Sequence, residues 1–313
     1  MSDNRLAIGI DLGVTVIKAG VVYQSHVIDH APHEATLESG NPEEVIEQMT
    51  RMVEKLRETH PGVAAVGVGM PGFVDFDKGM VRGLPHVNDW YSIPLKRILE
   101  EKTGLRAVVD NRANCMAVAE WKCGAARGFR DVVFLNLETG VGGGVIANGH
   151  LLRGARYVAG EIGQSSIDWQ GRTGKFGNRG AAERYLGSTE IAADAVAAYA
   201  AAGITRTLEE CSLKALAAAA MQGDPVAVAR WEEIGRMLAI AVMNACWILN
   251  PEAVVIGGSI TRAGELLFNP LRENLFAMLS EPFTEHLMVL PAAFGHDAGM
   301  IGAAALALEG WAL

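Results

Sequence analysis

Two well-separated stretches of this chain repeat one pattern: an apolar strand, a polar turn containing glycine, and a second apolar strand. In the first, Leu6 to Ile10 ends in Asp11 and Gly13, and Val16 to Tyr23 follows with Gly20 inside it. In the second, Asp131 to Leu137 runs into a Gly-rich turn, Thr139 to Gly144, and then Val145 to Ala147. Each reads as a hairpin. A helix follows the first hairpin at Pro42 to Thr59, where Val45, Ile46, Met49, Met52, Val53 and Leu56 make one apolar stripe on a charged surface. Ala64 to Met70 is a buried strand ending at Pro71-Gly72, Leu95 to Thr103 a helix, Ala107 to Val109 a strand ending at Asp110-Asn111, and Arg112 to Gly124 a helix. Beyond the second hairpin come long helical stretches at Glu209 to Gln222 and Asp224 to Leu249, a strand at Val254 to Ile256 closed by Gly257-Gly258, and a small-residue helix at Ala298 to Leu308. This predicts two α/β blocks, a lobe over 1–112 and a lobe over 113–296. No low-complexity linker separates them, so the expectation is a shared cleft rather than a tether.

Charge narrows the function. The 313 residues carry a net charge of −9, which opposes non-specific binding to nucleic acid or an anionic membrane. No apolar run is long enough to span a bilayer, and MSDNRLAIGIDLG turns at once into a strand pattern without the features of a signal peptide. Cys115, Cys123, Cys211 and Cys246 form no CxxC pair, as expected of reduced thiols in a cytoplasmic protein.

Three segments suit phosphate chemistry. GIDLGVTVIKAG, residues 9–20, sets Asp11 at a strand end and the Thr15 hydroxyl just past a glycine; such a turn offers backbone N–H groups to phosphate, and its carboxylate suits Mg²⁺. Asp-x-Gly is equally an ordinary hairpin turn. LETGVGGGV, residues 137–145, gives a turn where backbone can approach an anion, or simply a tightly bent hairpin. NPEAVVIGGSI, residues 250–260, is a strand opened at its end by paired glycines, where a base or ribose can rest against backbone. No GxxxxGK[ST] occurs, and GVGGG lies between strands rather than opening a helix, so neither a Walker loop nor a dinucleotide fingerprint is present.

The order DLGxT, TGVGGG, strand-GG resembles the actin/hexokinase/Hsp70 superfamily, and more closely the ROK family of bacterial sugar kinases and repressors. The resemblance also takes in GVGMPGFVD at 67–75, VVDNRAN at 108–114, AEW at 119–121, AGEIG at 159–163, GxxGxxE at 177–183 and IGGS at 256–259. It implies a two-lobed α/β fold of the actin-like ATPase (ribonuclease H-like) type, each lobe a mixed five-stranded sheet flanked by helices, with 297–313 packing back on the first lobe and the ligand cleft between lobes. It implies ATP and Mg²⁺ as co-substrate and metal, a hexose or hexose derivative as acceptor, and a homodimer. Asp11, Gly13, Thr15 and Lys18 would then face the β/γ-phosphates, with Asp11 on Mg²⁺. Thr139 and Gly140 would face the other side of the phosphates, and Gly257 and Gly258 would flank the adenosine. On the sugar side the implied contacts are Gly72, His86, Asn111, Glu161, Gln164 and Glu183.

Against that family the chain departs at four places. Val14 stands where a second Gly is common; a β-branched residue disfavours φ > 0, and lower ATP affinity is expected. The family's Glu-Asn-Asp-Ala-Asn, whose central Asp is the general base, reads here Asp110-Asn111-Arg112-Ala113-Asn114. Arginine stays protonated and has no acceptor, so Arg112 cannot be a base. Asp110 is a weak alternative, since in a strand it points opposite to its neighbour. The structural zinc site of the family has lost its ligands: Gln164 replaces the His, and Gly174, Phe176 and Ala181 replace the three Cys. No zinc is expected; an apolar or hydrogen-bonded loop takes its place, with Phe176 a candidate plug. Glu138 replaces a small Gly ahead of Thr139-Gly140. A new cation at 112 and a new anion at 138 suggest that Arg112 pairs with Glu138 or Glu161, or that it clamps a ligand carboxylate or phosphate.

Two readings follow. One is an ATP-dependent sugar kinase with weakened or relocated catalysis, since phosphoryl transfer leans mainly on positioning and electrostatics. The other is a non-catalytic sugar- or nucleotide-binding regulator. The DLGVT turn at residue 11 leaves no room ahead of it for the helix-turn-helix domain of the repressor branch, so DNA binding is not expected.

Overall fold

The computed structural model describes residues 5–13, 15–35, 41–84 and 89–309. Val14 and His86 lie outside the described residues. The chain divides into two compact units. The first comprises 1–128, 151–159 and 296–313, and the second 129–150 and 160–295.

The first unit is built on β1 (Leu6–Leu12), β2 (Val16–Tyr23), β3 (His26–His30), β4 (Glu34–Ala35), β5 (Val63–Met70), a small hairpin of β6 (Phe73–Asp75) and β7 (Met80–Gly83), and β8 (Arg106–Asn111). The main sheet has the order β3-β2-β1-β5-β8, with β4 paired to β2. Strands β1–β2–β3 are antiparallel, whereas β1, β5 and β8 run parallel. Ile8, Ile10 and Leu12 of β1, Val66, Val68 and Met70 of β5, and Ala107 and Val109 of β8 turn one face of the sheet toward helices α1 (Pro42–Thr59) and α2 (Leu95–Thr103). The whole predicted stripe of α1 is buried there, from Val45 to Leu56. Asn41 caps that helix by accepting the Glu43 N–H, and Pro42 occupies its first turn.

The opposite face of the sheet is covered by α3 (Arg112–Cys123) and the C-terminal helix (Ala298–Glu309). Small residues make this packing possible. A Cβ on Gly9 of β1 would lie 1.9 Å from the Met300 carbonyl oxygen, one on Gly67 of β5 1.8 Å from that of Ala303, and one on Gly302 1.6 Å from that of Cys115 in α3. Backbone therefore lies directly on backbone at these three glycines, where no side chain fits.

The second unit repeats the plan. Strands β9 (Val132–Leu137), β10 (Val141–Ala147), β11 (His150–Leu151), β12 (Ala253–Gly257) and β13 (Met288–Pro291) order as β11-β10-β9-β12-β13. Again a hairpin is antiparallel, β9 with β10, and the following strands β12 and β13 are parallel to it. Helices α4 (Glu183–Leu186), α5 (Ser188–Ala201), α6 (Leu213–Met221), α7 (Pro225–Leu249), α8 (Glu265–Ala277) and α9 (Glu281–Thr284) complete the unit. Val133, Leu135, Val254 and Ile256 join Trp231, Ile234, Leu238, Val242 and Leu271 in one apolar core.

Two sequence expectations change. The Gly-rich stretch is not all turn: only Glu138 to Gly140 connects the strands, and Gly142, Gly143 and Gly144 pair in register with Asn136, Leu135 and Phe134 inside β10. Gly143 is a glycine because residues 160–162 lie against the strand there; a Cβ on it would sit 2.2 Å from the Gly160 carbonyl oxygen. The helix expected from Glu209 begins instead at Leu213, because the Glu210 carboxylate accepts from Thr207 N and Oγ1 and folds 207–210 into a separate turn. Among the described residues no helix is long and apolar enough to cross a membrane.

Candidate functional site

In the first unit the candidate residues gather at the C-terminal ends of β1, β5 and β8. Asp11, Gly69 and Asp110 lie side by side in register. Strand alternation turns both aspartates toward the face covered by α3 and the C-terminal helix. Gly69 between them carries no side chain, and the Cα of Arg112 lies 3.5 Å from where its Cβ would be. Asp11 is buried, with 1 % of its surface exposed. It accepts two hydrogen bonds from one guanidinium, from Arg112 Nε at 2.6 Å and Nη2 at 3.1 Å. This is the side-on, bidentate geometry in which arginine binds a carboxylate most strongly. On its other side the carboxylate meets the opening turn of the C-terminal helix, where a Cβ on Gly299 would lie 2.5 Å from Asp11 Cγ. A carboxylate is favoured at a helix N-terminus.

Arg112 therefore has a partner within its own unit, Asp11. A directly bound Mg²⁺ needs free oxygen lone pairs in a near-octahedral shell. The Asp11 carboxylate is 1 % exposed, has a guanidinium bonded to both of its oxygens and is flanked by Gly299 of the C-terminal helix, so a cation there meets a fixed positive charge and has no room for its water shell; this donor set does not fit the metal.

Asp110 is closed in by donors and is not available as a base. It is 2 % exposed. Its Oδ1 accepts from Asn111 N at 2.7 Å and Asn114 Nδ2 at 3.0 Å, and its Oδ2 from Arg153 Nε and Nη2, both at 2.8 Å. Four donors occupy its acceptor capacity, leaving no lone pair for a substrate proton. Burial pushes its pKa up against the pull of Arg153, with the Asn114 and Asn111 hydrogen bonds also opposing the rise. The guanidinium carbon of Arg153 in turn lies over the Phe76 ring, 3.5 Å from its centroid.

Asn111 is largely committed to backbone. Its Oδ1 caps α3 by accepting from Ala113 N at 2.7 Å and Asn114 N at 3.3 Å, and its Nδ2 donates to the Gly72 carbonyl at 2.8 Å. One Nδ2 hydrogen remains for a ligand. Gly72, at φ 80°, is in the left-handed region that glycine tolerates. Lys18, opposite Asp11 on β2, reaches the His296 carbonyl at 3.4 Å, so it is tied to the turn before the C-terminal helix. Gly13 closes the β1–β2 turn by donating to the Val16 carbonyl at 2.9 Å, and Thr15 beside it is exposed.

In the second unit the predicted residues form one network around the β9–β10 turn. Thr139 is exposed at its tip. Glu183, at the start of α4, accepts from Val141 N at 3.1 Å, and a Cβ on Gly140 would lie 2.6 Å from its Oε2. Glu161 precedes the single helical turn Ile162–Gln164. Its pKa is raised, chiefly by burial and further by the Glu183 charge, with Lys175 opposing. Glu138 accepts from Ser259 N at 2.9 Å and Ser259 Oγ at 3.0 Å, tying the β9–β10 turn to the strand-end glycines. Gly257 ends β12 against the Phe134 ring, and Gly258 turns at φ 93° with no room for a side chain: a Cβ would lie 2.1 Å from the Leu137 carbonyl oxygen.

The loop over 174–181 is held by hydrogen bonds to backbone carbonyls. Asn178 Nδ2 donates to the Gln164 carbonyl at 2.7 Å, and Gly174 N donates to the Asn178 carbonyl at 2.6 Å. Ala181 is fully buried. Phe176 is not a plug: 58 % of it is exposed.

Sequence reading missed Arg153, Gly299 and Ser259 as parts of these clusters. Arg153 carries no local signal, because its partner lies 43 positions away. Gly299 had one, a glycine in the first turn of a helix, where glycine is otherwise unfavourable.

Comparison with known proteins gives a consistent result. The ROK family model matches residues 7–310. The chain is 35% identical to a glucokinase of Thermotoga maritima, over 96% of this chain and 97% of that protein. It is 26% identical to the xylose repressor of Bacillus subtilis, over 97% of this chain and 77% of the repressor. Its fold superposes on the crystal structure of a ROK family glucokinase from Streptomyces griseus in complex with glucose and AMPPNP, with a TM-score of 0.84 and 32% identity, covering 97% of this chain and 99% of that one. The duplicated mixed-sheet units, the DLGVT and TGVGGG hairpins and this match over nearly the whole chain place it in the ROK family.

Proposed function

We propose that this chain binds a hexose or hexose derivative together with ATP and acts as a sugar kinase whose phosphoryl transfer is weakened at the step that removes the proton from the sugar hydroxyl. The glucokinase relatives support the substrate class, and the AMPPNP held by the S. griseus structure supports the nucleotide. The observation that carries the weakening is the bidentate Arg112–Asp11 pair. A guanidinium occupies the position of the general base and cannot take a proton. Glu161, Glu183, Asn111 and Gly72 are the residues we assign to the sugar, with the first two supplying acceptors for hydroxyl hydrogens. Thr15, Thr139, Gly140, Gly257 and Gly258 are assigned to the nucleotide. What the chain retains is positioning, which supplies most of the acceleration in phosphoryl transfer.

The test is coupled ATP turnover against a panel of hexoses, amino sugars and acidic sugars, with thermal-shift binding on the same panel. A base contributes about 10²–10⁴-fold to such a step. Slow turnover on one sugar, raised by a comparable factor in Arg112→Asp, is the expected result. Turnover as fast as an ordinary hexokinase, unaffected by substitution at 112, would defeat the proposal. A second reading, a sugar-binding regulator without turnover, is favoured by the saturation of Asp110, which leaves the first unit without a second candidate base. Binding with no turnover in either protein selects it.

A further inference from the structure

Arg112 does more than displace a base. It is the first residue of α3, and the backbone of that helix is fixed from both ends of its first turn. Asn111 caps it through Ala113 N and Asn114 N, and the Cys115 carbonyl lies against the Gly302 backbone of the C-terminal helix. The guanidinium is thus delivered to Asp11 by a rigid element, and only 26 % of the Arg112 side chain is exposed. Asp11 is closed on its remaining side by Gly299. The neighbouring carboxylate, Asp110, is held by a second arginine, Arg153. Each acidic side chain at this sheet end therefore has its own guanidinium, and among the described residues no three His, Cys, Asp or Glu side chains are grouped to hold a metal ion.

We infer that Arg112 is the permanent cation of the Asp11 site, a built-in substitute that closes this carboxylate to divalent metal. The charge that a metal would supply beside Asp11 is present in every molecule and does not vary with metal concentration. To enter, a divalent cation has to part a buried bidentate pair, shed tightly held water and tolerate a guanidinium it repels. The inference goes beyond the kinase reading and does not depend on turnover: it concerns one ion pair within one unit.

The experiment uses Mn²⁺ alone as the probe, followed by electron paramagnetic resonance, with thermal unfolding in Mg²⁺ or in EDTA alongside. Wild type and Asp11→Asn are expected to bind Mn²⁺ equally, because Asp11 contributes no site. Arg112→Met removes the cation and strands a buried carboxylate. We expect it to lose about 10 °C of Tm in EDTA, to regain at least half of that in Mg²⁺, and to acquire one Mn²⁺ site that the double variant Asp11→Asn/Arg112→Met lacks. A wild-type Mn²⁺ site that Asp11→Asn abolishes overturns the inference. So does a folded Arg112→Met protein that gains neither Mn²⁺ binding nor Mg²⁺-dependent stability. Where Arg112→Met fails to fold, the comparison of wild type with Asp11→Asn decides alone. None of these readouts needs sugar or ATP, so a failure here leaves the kinase proposal standing, and the reverse.

Discussion

Asp110 and Glu161 are both buried carboxyls with raised pKa values, yet they stand in opposite situations. Asp110 is surrounded by four donors, two of them from one guanidinium, so its role is to hold Arg153 and the start of α3. Arg153→Ala strands a charge that is 2 % exposed, and we expect it to cost about 3–5 kcal/mol in urea unfolding, because breaking a buried pair leaves one ion uncompensated. A base would behave differently, losing rate with stability intact. Glu161 faces Glu183 with only Lys175 opposing. Its folded pKa lies above the unfolded one, so the native state binds more protons between those values, and stability falls as pH rises through that window. The expected outcome is a stability profile for wild type that declines above the ordinary Glu range and is flatter in Glu161→Gln, which is the more stable protein at neutral pH; guanidinium melts across pH check it. Such a group is costly to the fold, which is the usual mark of a ligand-binding position. At this scale the sequence was informative about identity and silent about partners. The arginine at 112 was visible as a residue that takes no proton, but nothing local announced that it would reach across to Asp11, 101 positions earlier.

Elements meet here through glycines, and these are where a substitution tests the architecture. Gly258, between β12 and the turn Ser259–Ala263, combines φ 93° and ψ 174° with contact on the Leu137 carbonyl. That backbone region is nearly exclusive to glycine and costs other residues about 1–3 kcal/mol before any clash. Gly104, the C-cap of α2, is also left-handed at φ 67° but faces open space. We expect Gly258→Ala to destabilise its unit well beyond that conformational cost, and Gly104→Ala to cost only about 1 kcal/mol; paired urea melts give the comparison. Of the elements, those with a strong period or a strong stop were legible. The stripe of α1, the β1–β2 hairpin, and the strand ends at Pro71-Gly72 and Gly257-Gly258 fall where sequence put them. α5 and α8 were not read. The run from Ser188 to Ala201 is mostly Ala on every face, so its apolar side cannot be told from its polar side, and α8 carries Pro270 inside it. Pro270 would normally break a helix; here its ring lies 2.6 Å from where a Cβ on Gly235 of α7 would be, filling a space that glycine leaves.

At the scale of the molecule, the two units share one topology but differ in how the chain closes them. The second is nearly continuous, 129–150 and 160–295. The first needs three pieces, and the last of them, the C-terminal helix, covers one face of its sheet and abuts Asp11. Without that helix, Gly9 and Gly67 face water, and a sheet that was covered on both faces keeps only α1, α2 and α3. Parallel strands are rarely stable with a bare face. The second unit has its own apolar core around Trp231, Leu238 and Val254 and draws nothing for it from residues beyond 295. A chain ending at residue 295 is therefore expected to unfold its first unit and keep its second. Limited proteolysis should cut within 1–128 and leave a resistant fragment over 129–295, whose cooperative melt survives. Equal resistance of both parts would show that the first sheet closes without the helix, and loss of both would show that the second core depends on it. The same asymmetry explains what the sequence could reveal about the whole. The recurring strand, turn and strand was readable because it is local in each half, whereas the return of the last helix to the first sheet was readable only through resemblance to relatives, since it joins residues almost three hundred positions apart.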